Sequence, residues 1–144
     1  MGNDKDTKLF KIVSVLSLVG IFLAIYLLYG FVVRPEFQPC NISSAINCDA
    51  VTKGEVSTFA GIPVPLIGLT GYILLLYFAL SKNKKLMFGM SLFGTLFCLR
   101  ITFIEVFQLK VVCPVCLACQ IVMINILLLS VVLMKGNKDL KESL

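Results

Sequence analysis

The stretch VVCPVCLACQIVMINILLLSVVLM, positions 111–134, sets a pair of cysteines at the start of a long apolar run. Two residues separate Cys113 from Cys116, and nearly every residue after them is apolar. A helix of about 20 apolar residues is long enough to cross a hydrocarbon core of about 30 Å. The stretch therefore predicts a membrane-spanning helix that carries a C-x-x-C pair at one end.

Three further apolar runs precede this one, and together they predict an all-α integral membrane protein. Of the 144 residues, 58% are hydrophobic and 15% are charged, and the mean hydropathy is +0.96. About a quarter of the residues of a soluble domain are charged. Backbone groups in lipid must be satisfied within their own segment, so each run should be helical. We expect one domain over residues 1–144, a four-transmembrane-helix bundle with spans at 12–33, 62–80, 86–107 and 113–134.

The first run is expected to be a retained span rather than a signal peptide. It is longer than the roughly 7–15 residues of a signal-peptide hydrophobic region, and no A-x-A-like cleavage site follows it.

The basic residues are distributed unevenly over the segments that four spans would separate. Arg34, Lys53 and Lys110 fall on one side, and Arg100 falls inside the third span. Cytoplasmic loops carry an excess of lysine and arginine, so both termini are expected in the cytoplasm, and residues 34–61 and 108–112 outside it. This placement explains the net charge of +5 without nucleic-acid binding. The other side holds nine basic residues: Lys5, Lys8, Lys11, Lys82, Lys84, Lys85, Lys135, Lys138 and Lys141.

The cysteines gather on the predicted outer face. Cys40 and Cys48 lie in the 34–61 loop, and the C-x-x-C pair opens the fourth span. That face is the oxidising one, where disulfides form. A C-x-x-C disulfide closes a small loop and contributes little stability, so the spacing favours a pair that opens and closes. Pro114 suits the first helical position, and a helix N-terminus favours a thiolate.

Cys98 and Cys119 lie within the predicted third and fourth spans. We interpret both as small buried hydrophobic residues.

A soft-metal site is the alternative interpretation, in which the chain is a non-enzymatic membrane protein. Cys40, Cys48, Cys113 and Cys116 could supply four thiolate ligands. However, seven residues separate the first two, whereas paired zinc ligands are usually separated by about two to four. We therefore favour thiol–disulfide chemistry and predict no metal.

Thiol oxidation requires an electron acceptor, and the sequence indicates a quinone. It contains no glycine-rich nucleotide-binding motif and no haem motif. The interior of a helix bundle is a common place for a lipid-soluble ligand. The aromatic residues near the outer face are candidates to line such a site: Phe37, Phe59, Phe103 and Phe107.

Three segments resemble bacterial homologues of vitamin K epoxide reductase, the VKOR family. They are CNISSAINCDAV (40–51), VSTFAGIPVPLIG (56–68) and IEVFQLKVVCPVCL (104–117), and the resemblance extends from the first span to the fourth. The order of the two cysteine pairs distinguishes the chain from DsbB, another four-span quinone-linked protein, in which the C-x-x-C comes first.

The resemblance implies a DsbB-like, disulfide-generating enzyme, a thiol oxidase that reduces ubiquinone, menaquinone or a vitamin K-type quinone. Cys40 would exchange with a thioredoxin-like, DsbA-like extracytoplasmic partner, a separate protein. Cys48 would pair transiently with Cys113, and Cys116 would face the quinone. The outer loop would cap the quinone pocket, in the plasma (inner) membrane. Where family members carry serine or threonine near the quinone, this chain has Gly54, so either Ser57 or Thr52 substitutes or the role is missing.

Two charged residues lie inside the predicted third span. A guanidinium such as that of Arg100 is costly in a bilayer unless it is paired or reaches water. Glu105 matches a glutamate of the family's third helix, and we expect it to have a structural or loop-anchoring role. A proton-handling role is the alternative, because quinone reduction requires protons.

Overall fold

A computed structural model of the chain describes residues 4–33, 42–46 and 58–142, and most of these are helical. A hairpin of two short strands, β1 (Thr58–Phe59) and β2 (Ile62–Pro63), precedes the second helix. A π-helical turn, Glu105–Leu109, follows the third. The described part of the chain forms four α-helices: α1 (Asp4–Val33), α2 (Val64–Leu80), α3 (Lys84–Ile104) and α4 (Pro114–Glu142).

Among the described residues, three segments are long and apolar enough to cross a membrane, namely Asp4–Val33, Lys84–Gln108 and Pro114–Gly136. The helical membrane architecture expected from the sequence is therefore confirmed. α2 is also apolar but has only 17 residues, which cover about 25 Å at 1.5 Å per residue. That α2 is a fourth span stays a prediction.

The helices close a ring in which each packs against two others. α1 contacts α2 and α4, and α3 contacts the same two helices from the other side. The buried residues of α1 recur every three or four positions, which places them on one face. Its other face remains open, and Phe22 there is 71% exposed. Such exposed apolar side chains fit a helix that faces lipid.

Gly20 of α1 lies against the Tyr72 ring of α2. A Cβ atom placed on Gly20 would lie 2.2 Å from the ring of Tyr72, which is shorter than any real contact. Small residues allow transmembrane helices to approach closely in this way. The aromatic ring of Tyr72 is almost fully buried as a result.

The helix ends differ from the predicted span ends at the polar termini. α1 begins at Asp4 rather than at residue 12, and α4 continues to Glu142 rather than stopping at 134. Hydropathy marks only the part of a helix that lies in lipid. The helix continues into the polar residues beyond it as long as its backbone hydrogen bonds can form. Asp4 and Asp6 also favour an early start, because acidic side chains stabilise a helix N-terminus.

The predicted outer loop, residues 34–61, is described only at 42–46 and 58–61. The second of these segments forms the β-hairpin turn, where Ala60 and Gly61 have φ values of 53° and 83°. Positive φ at both central positions is the conformation that two-residue hairpins favour.

Candidate functional site

The cysteine pair, Cys113 and Cys116, lies at the start of α4. Pro114 is the first residue of that helix, and the Leu117 amide donates to the Cys113 carbonyl at 3.1 Å. Cys113 is fully buried. The Cys116 thiol lowers the pKa of Cys113 by hydrogen bonding to its sulfur, and the backbone amides of Val115 and Cys116 act in the same direction. The helix start therefore favours a thiolate at Cys113, as the sequence predicts.

Glu105 lies against this pair from the end of α3. Its side chain is 1% exposed, and its Oε2 accepts from the Cys113 amide over 3.4 Å. The Cys116 thiol is within hydrogen-bonding reach of the same carboxyl group. Oε1 has no hydrogen-bond partner among the described residues. A buried carboxyl group thus touches both cysteines from one side.

The π-helical turn brings Glu105 to the pair. Lys110 ends it with a left-handed backbone (φ 53°), and the amides of Lys110 and Val111 both donate to the Glu105 carbonyl. The chain therefore reverses within a few residues and starts α4 beside Glu105. Single π-turns often occur at functional sites.

Residues 42–46, in the predicted outer loop, contact the chain next to Cys113. Ile46 forms an isolated parallel bridge with Val112, and the Val112 amide donates to the Ala45 carbonyl at 2.7 Å. Val112 directly precedes Cys113, and Ile46 precedes Cys48 by two residues. The sequence neighbours of two predicted redox cysteines are therefore hydrogen bonded to each other.

An apolar cavity lies between the four helices, and Cys116 forms part of its wall. It holds about 700 Å³ of empty space, including its open mouth. α3 contributes a continuous stripe of residues at helical spacing: Met90, Phe93, Gly94, Phe97, Cys98 and Ile101. α2 contributes Gly68 and Tyr72 among others, and α1 contributes Ala24 and Leu27.

Cys98 and Cys119 also line this cavity. Tyr72 closes it on one side, where its hydroxyl donates to the Cys119 carbonyl at 2.9 Å. Cys119 is buried and Cys98 is partly buried, which fits their interpretation as small hydrophobic residues. The wall thus presents three thiols within an otherwise apolar surface.

Phe59 of the β-hairpin packs against the C-terminal part of α3. Its ring meets Phe97 edge-on with centroids 5.8 Å apart, and the Arg100 guanidinium lies 5.2 Å from the Phe59 ring centre. A cation over an aromatic face is a favourable contact. The Arg100 side chain is exposed at the surface of the bundle. Phe59 therefore touches a cavity residue without lining the cavity.

The other predicted quinone contacts have different positions. Phe103 and Phe107 are 59% and 66% exposed, pack against each other with ring centroids 4.5 Å apart, and are not part of the cavity wall. Cys40, Cys48 and Ser57 lie outside the described residues, as does Phe37.

Sequence reasoning missed most of the wall, in particular Tyr72, Phe97 and Met123. The signal in the sequence was the stripe of aromatic and small residues on the third span, at spacings of three and four. It was hidden because nearly every position in a lipid-exposed helix is apolar.

The described residues contain no group of three or more histidine, cysteine or acidic side chains arranged to hold a metal. Two of the four ligands in the alternative metal site, Cys40 and Cys48, lie outside those residues.

The fold and the site define a helical membrane protein that carries a C-x-x-C pair at one end of the bundle. A sequence model of the Vitamin K epoxide reductase family matches residues 11–131, which is most of the chain. The chain therefore belongs to the Vitamin K epoxide reductase family, as its motifs predicted. Members of this family are oxidoreductases. No curated protein matches the chain.

Proposed function

We propose that this protein is a quinone-dependent thiol oxidase that generates disulfides. Electrons pass from a thioredoxin-like, DsbA-like partner to Cys40 and Cys48, then to Cys113 and Cys116, and finally to a quinone. Overall, a partner dithiol and a quinone become a partner disulfide and a quinol. Family membership supports a redox function at a membrane.

The observation that carries this proposal is that Cys116 belongs to two features of the site at once. It belongs to the C-x-x-C pair and also to the wall of the apolar cavity. An apolar cavity in the bundle suits a quinone ring, since such pockets are mostly apolar with a few placed polar groups. A bound quinone supplies the acceptor for two electrons and two protons. Cys116 provides the thiol within reach of that acceptor.

The remaining residues of the site prepare the pair for exchange. The start of α4 favours a Cys113 thiolate, which is the form that attacks a disulfide or leaves from one. Glu105 holds the Cys113 amide and therefore fixes the first turn of α4. Cys116 itself is partly buried in the wall of the apolar cavity.

The bridge between Ile46 and Val112 supports the proposed transfer from the loop to the pair. Cys48 and Cys113 follow these two residues closely in sequence. A transient disulfide between them would link the partner-facing loop to the buried pair.

The cellular arrangement is part of the same proposal. The protein is multi-pass in the plasma membrane, with both termini cytoplasmic and the redox loop outside. Its partner is a separate extracytoplasmic protein, and the loop caps the quinone pocket. The lysine distribution and the position of the pair at one end of α4 support this orientation.

Quinone reduction by the purified protein, driven by a reduced DsbA-like partner, tests the function. Wild type should turn over, and Cys40→Ser, Cys48→Ser, Cys113→Ser and Cys116→Ser should each abolish partner-driven turnover. Ser130→Ala is the matched control, because Ser130 is buried far from the pair and bonds only its own helix among the described contacts. A wild-type protein that never reduces quinone, but copurifies with stoichiometric zinc, would refute the proposal.

A further inference from the structure

A second open groove lies at the end of the bundle opposite the cysteine pair, between the start of α3 and the end of α4. It holds about 1030 Å³ of empty space, open to the outside. We call it the lysine groove. Its wall consists of four lysines and three apolar residues: Lys84, Lys85, Lys135, Lys138, Phe88, Val131 and Met134.

Helical spacing brings these residues together. On α4, Val131, Met134, Lys135 and Lys138 recur every three or four residues and so share a face. On α3, Lys84 and Lys85 lie about one turn before Phe88 and share a face with it. The two faces meet because α3 packs against α4. The groove thus has an apolar base and a basic rim.

Most of the positive charge in the groove has no protein partner among the described side chains. Lys84 pairs with Asp6 of α1 at 2.7 Å, which leaves one cation compensated. Lys85, Lys135 and Lys138 are exposed, and no described acidic side chain lies within ion-pair distance of them. A ligand with at least one negative charge would complete the rim.

The position of the groove relative to the membrane favours a lipid over a soluble anion as its ligand. Lys84 begins the Lys84–Gln108 segment, and Lys135 lies in the last turn of the Pro114–Gly136 segment. The lysines therefore stand where the two membrane-crossing segments reach the headgroup region. Phe88, Val131 and Met134 continue from them toward the hydrocarbon core.

We propose that the lysine groove binds an anionic phospholipid. The phosphate lies between Lys85, Lys135 and Lys138, and an acyl chain covers Phe88 and its apolar neighbours. Basic pockets between transmembrane helices recognise acidic headgroups in this way. Lysine stems contribute apolar contact while the ammonium groups reach the phosphate.

An orientation signal alone explains the number of these lysines but not their arrangement. The excess of lysine on one side is also supplied by Lys5, Lys8 and Lys11 of α1, which are exposed and do not line the groove. Those three residues provide a matched control, because replacing them removes the same charge from the same end of the bundle.

The test is lipid retention measured by native mass spectrometry on the full chain in detergent, with phosphatidylglycerol or phosphatidylcholine added. Wild type should bind phosphatidylglycerol more tightly. Lys85→Gln/Lys135→Gln/Lys138→Gln should lose roughly a hundredfold in affinity for it, since each lysine near a headgroup contributes about fivefold, or about 1 kcal/mol. Lys5→Gln/Lys8→Gln/Lys11→Gln should retain wild-type affinity. Equal loss in both triple variants would overturn the proposal.

A second comparison separates a lipid from a free phosphate. Phe88→Ser should weaken binding of the diacyl lipid, and glycerol 3-phosphate should not displace that lipid at equal concentration. If glycerol 3-phosphate competes fully and Phe88→Ser changes nothing, the groove is an anion site and not a lipid site. Neither measurement uses quinone turnover, so the result is independent of the proposed enzymatic activity.

Discussion

Cys113 and Glu105 come from different elements and meet where α3 ends and α4 begins, with almost no contact with solvent. The hydrogen bond from Cys116 lowers the pKa of Cys113, while the negative charge of Glu105 acts in the opposite direction. A carboxylate placed beside a thiolate disfavours the second negative charge. Glu105 therefore limits how readily Cys113 ionises, while its contact with the Cys113 amide fixes the turn.

Replacing Glu105 with glutamine should make Cys113 more acidic. Glutamine keeps an oxygen for the Cys113 amide and removes the charge that opposes ionisation. A group whose pKa falls is ionised to a lower pH, so the titration midpoint should move to lower pH. The measurement is thiolate ultraviolet absorbance during a pH titration, taken as the difference from the same protein with Cys113→Ala.

Glu142→Gln is the control for this prediction. Glu142 is an exposed carboxylate at the far end of α4, so its loss removes the same charge far from the pair. The midpoint of Cys113 should stay at the wild-type value. An upward shift in Glu105→Gln would contradict the geometry described here.

The sequence predicted individual residues only where a local motif defined them. Cys113, Pro114 and Cys116 form a continuous motif whose geometry follows from the start of one helix. The contact between Glu105 and Cys113 depends on a π-helical turn and a left-handed Lys110, which no local pattern indicates. Phe103 was selected for its aromatic ring and predicted depth, but the side of α3 that it occupies depends on how the helices pack.

The glycines in the helices of this bundle differ in how closely neighbouring side chains surround them. Gly20 lies against the Tyr72 ring, and Gly94 lies against the Met123 side chain. A Cβ on Gly68 or Gly89 would meet no atom within 4 Å. All four sit in helices, where a larger residue raises intrinsic helix propensity. Their surroundings should therefore decide the effect of substitution.

Gly20→Ala should destabilise the bundle. The added methyl group would lie 2.2 Å from a carbon of Tyr72, so α1 and α2 must separate or the ring must move. Overpacking of this kind costs about 1–3 kcal/mol. The midpoint of thermal unfolding in detergent should fall, whereas Gly89→Ala should leave it unchanged or raise it. Equal stability of the two variants would mean that the Tyr72 ring moves aside without cost.

Gly68→Leu should block the cavity without disturbing the fold. Gly68 lines the cavity and faces open space, so a leucine side chain would fill that space. The KM for quinone should rise by about tenfold or more, equivalent to roughly 1.4 kcal/mol of lost binding. Disulfide exchange with the partner should continue at the wild-type rate, because the pair at the start of α4 is unchanged.

Gly89→Leu is the matched control on α3. Gly89 also faces open space, but it does not line the cavity. Quinone kinetics should match those of wild type. If Gly68→Leu also has wild-type quinone kinetics, the quinone binds elsewhere and the role of the cavity is wrong.

The helices themselves could be predicted because backbone N–H and C=O groups in lipid must be hydrogen bonded within the protein, which leaves few structures other than a helix. The apolar runs located α2 and α3 to within a few residues. The β-hairpin was not predicted, since Thr58–Phe59 and Ile62–Pro63 are too short to show an alternating pattern. The ring of four helices also lies beyond sequence reasoning, because every face of these helices is apolar.

The two ends of the molecule differ in chemistry. One end holds the cysteine pair, the buried Glu105 and the hairpin, and the other holds the lysine groove. α4 connects them, with Pro114 at the first end and Lys138 beyond the second. The orientation predicted from the lysine bias would put the cysteine pair outside and the lysine groove at the cytoplasmic headgroups.

Labelling of single introduced cysteines with a membrane-impermeant maleimide tests that orientation for the whole chain. In a variant with all six cysteines replaced by serine, Thr58→Cys and Lys110→Cys should be labelled from outside intact cells. Lys82→Cys, at the turn between α2 and α3, should be labelled only after permeabilisation. All three positions are exposed, so access depends on the side of the membrane. If Thr58→Cys and Lys82→Cys are labelled from the same side, then α2, with its 17 residues, does not cross and the protein has three spans. If Lys82→Cys is labelled in intact cells and the other two variants only after permeabilisation, the lysine bias does not set the orientation. The redox pair would then lie in the cytoplasm.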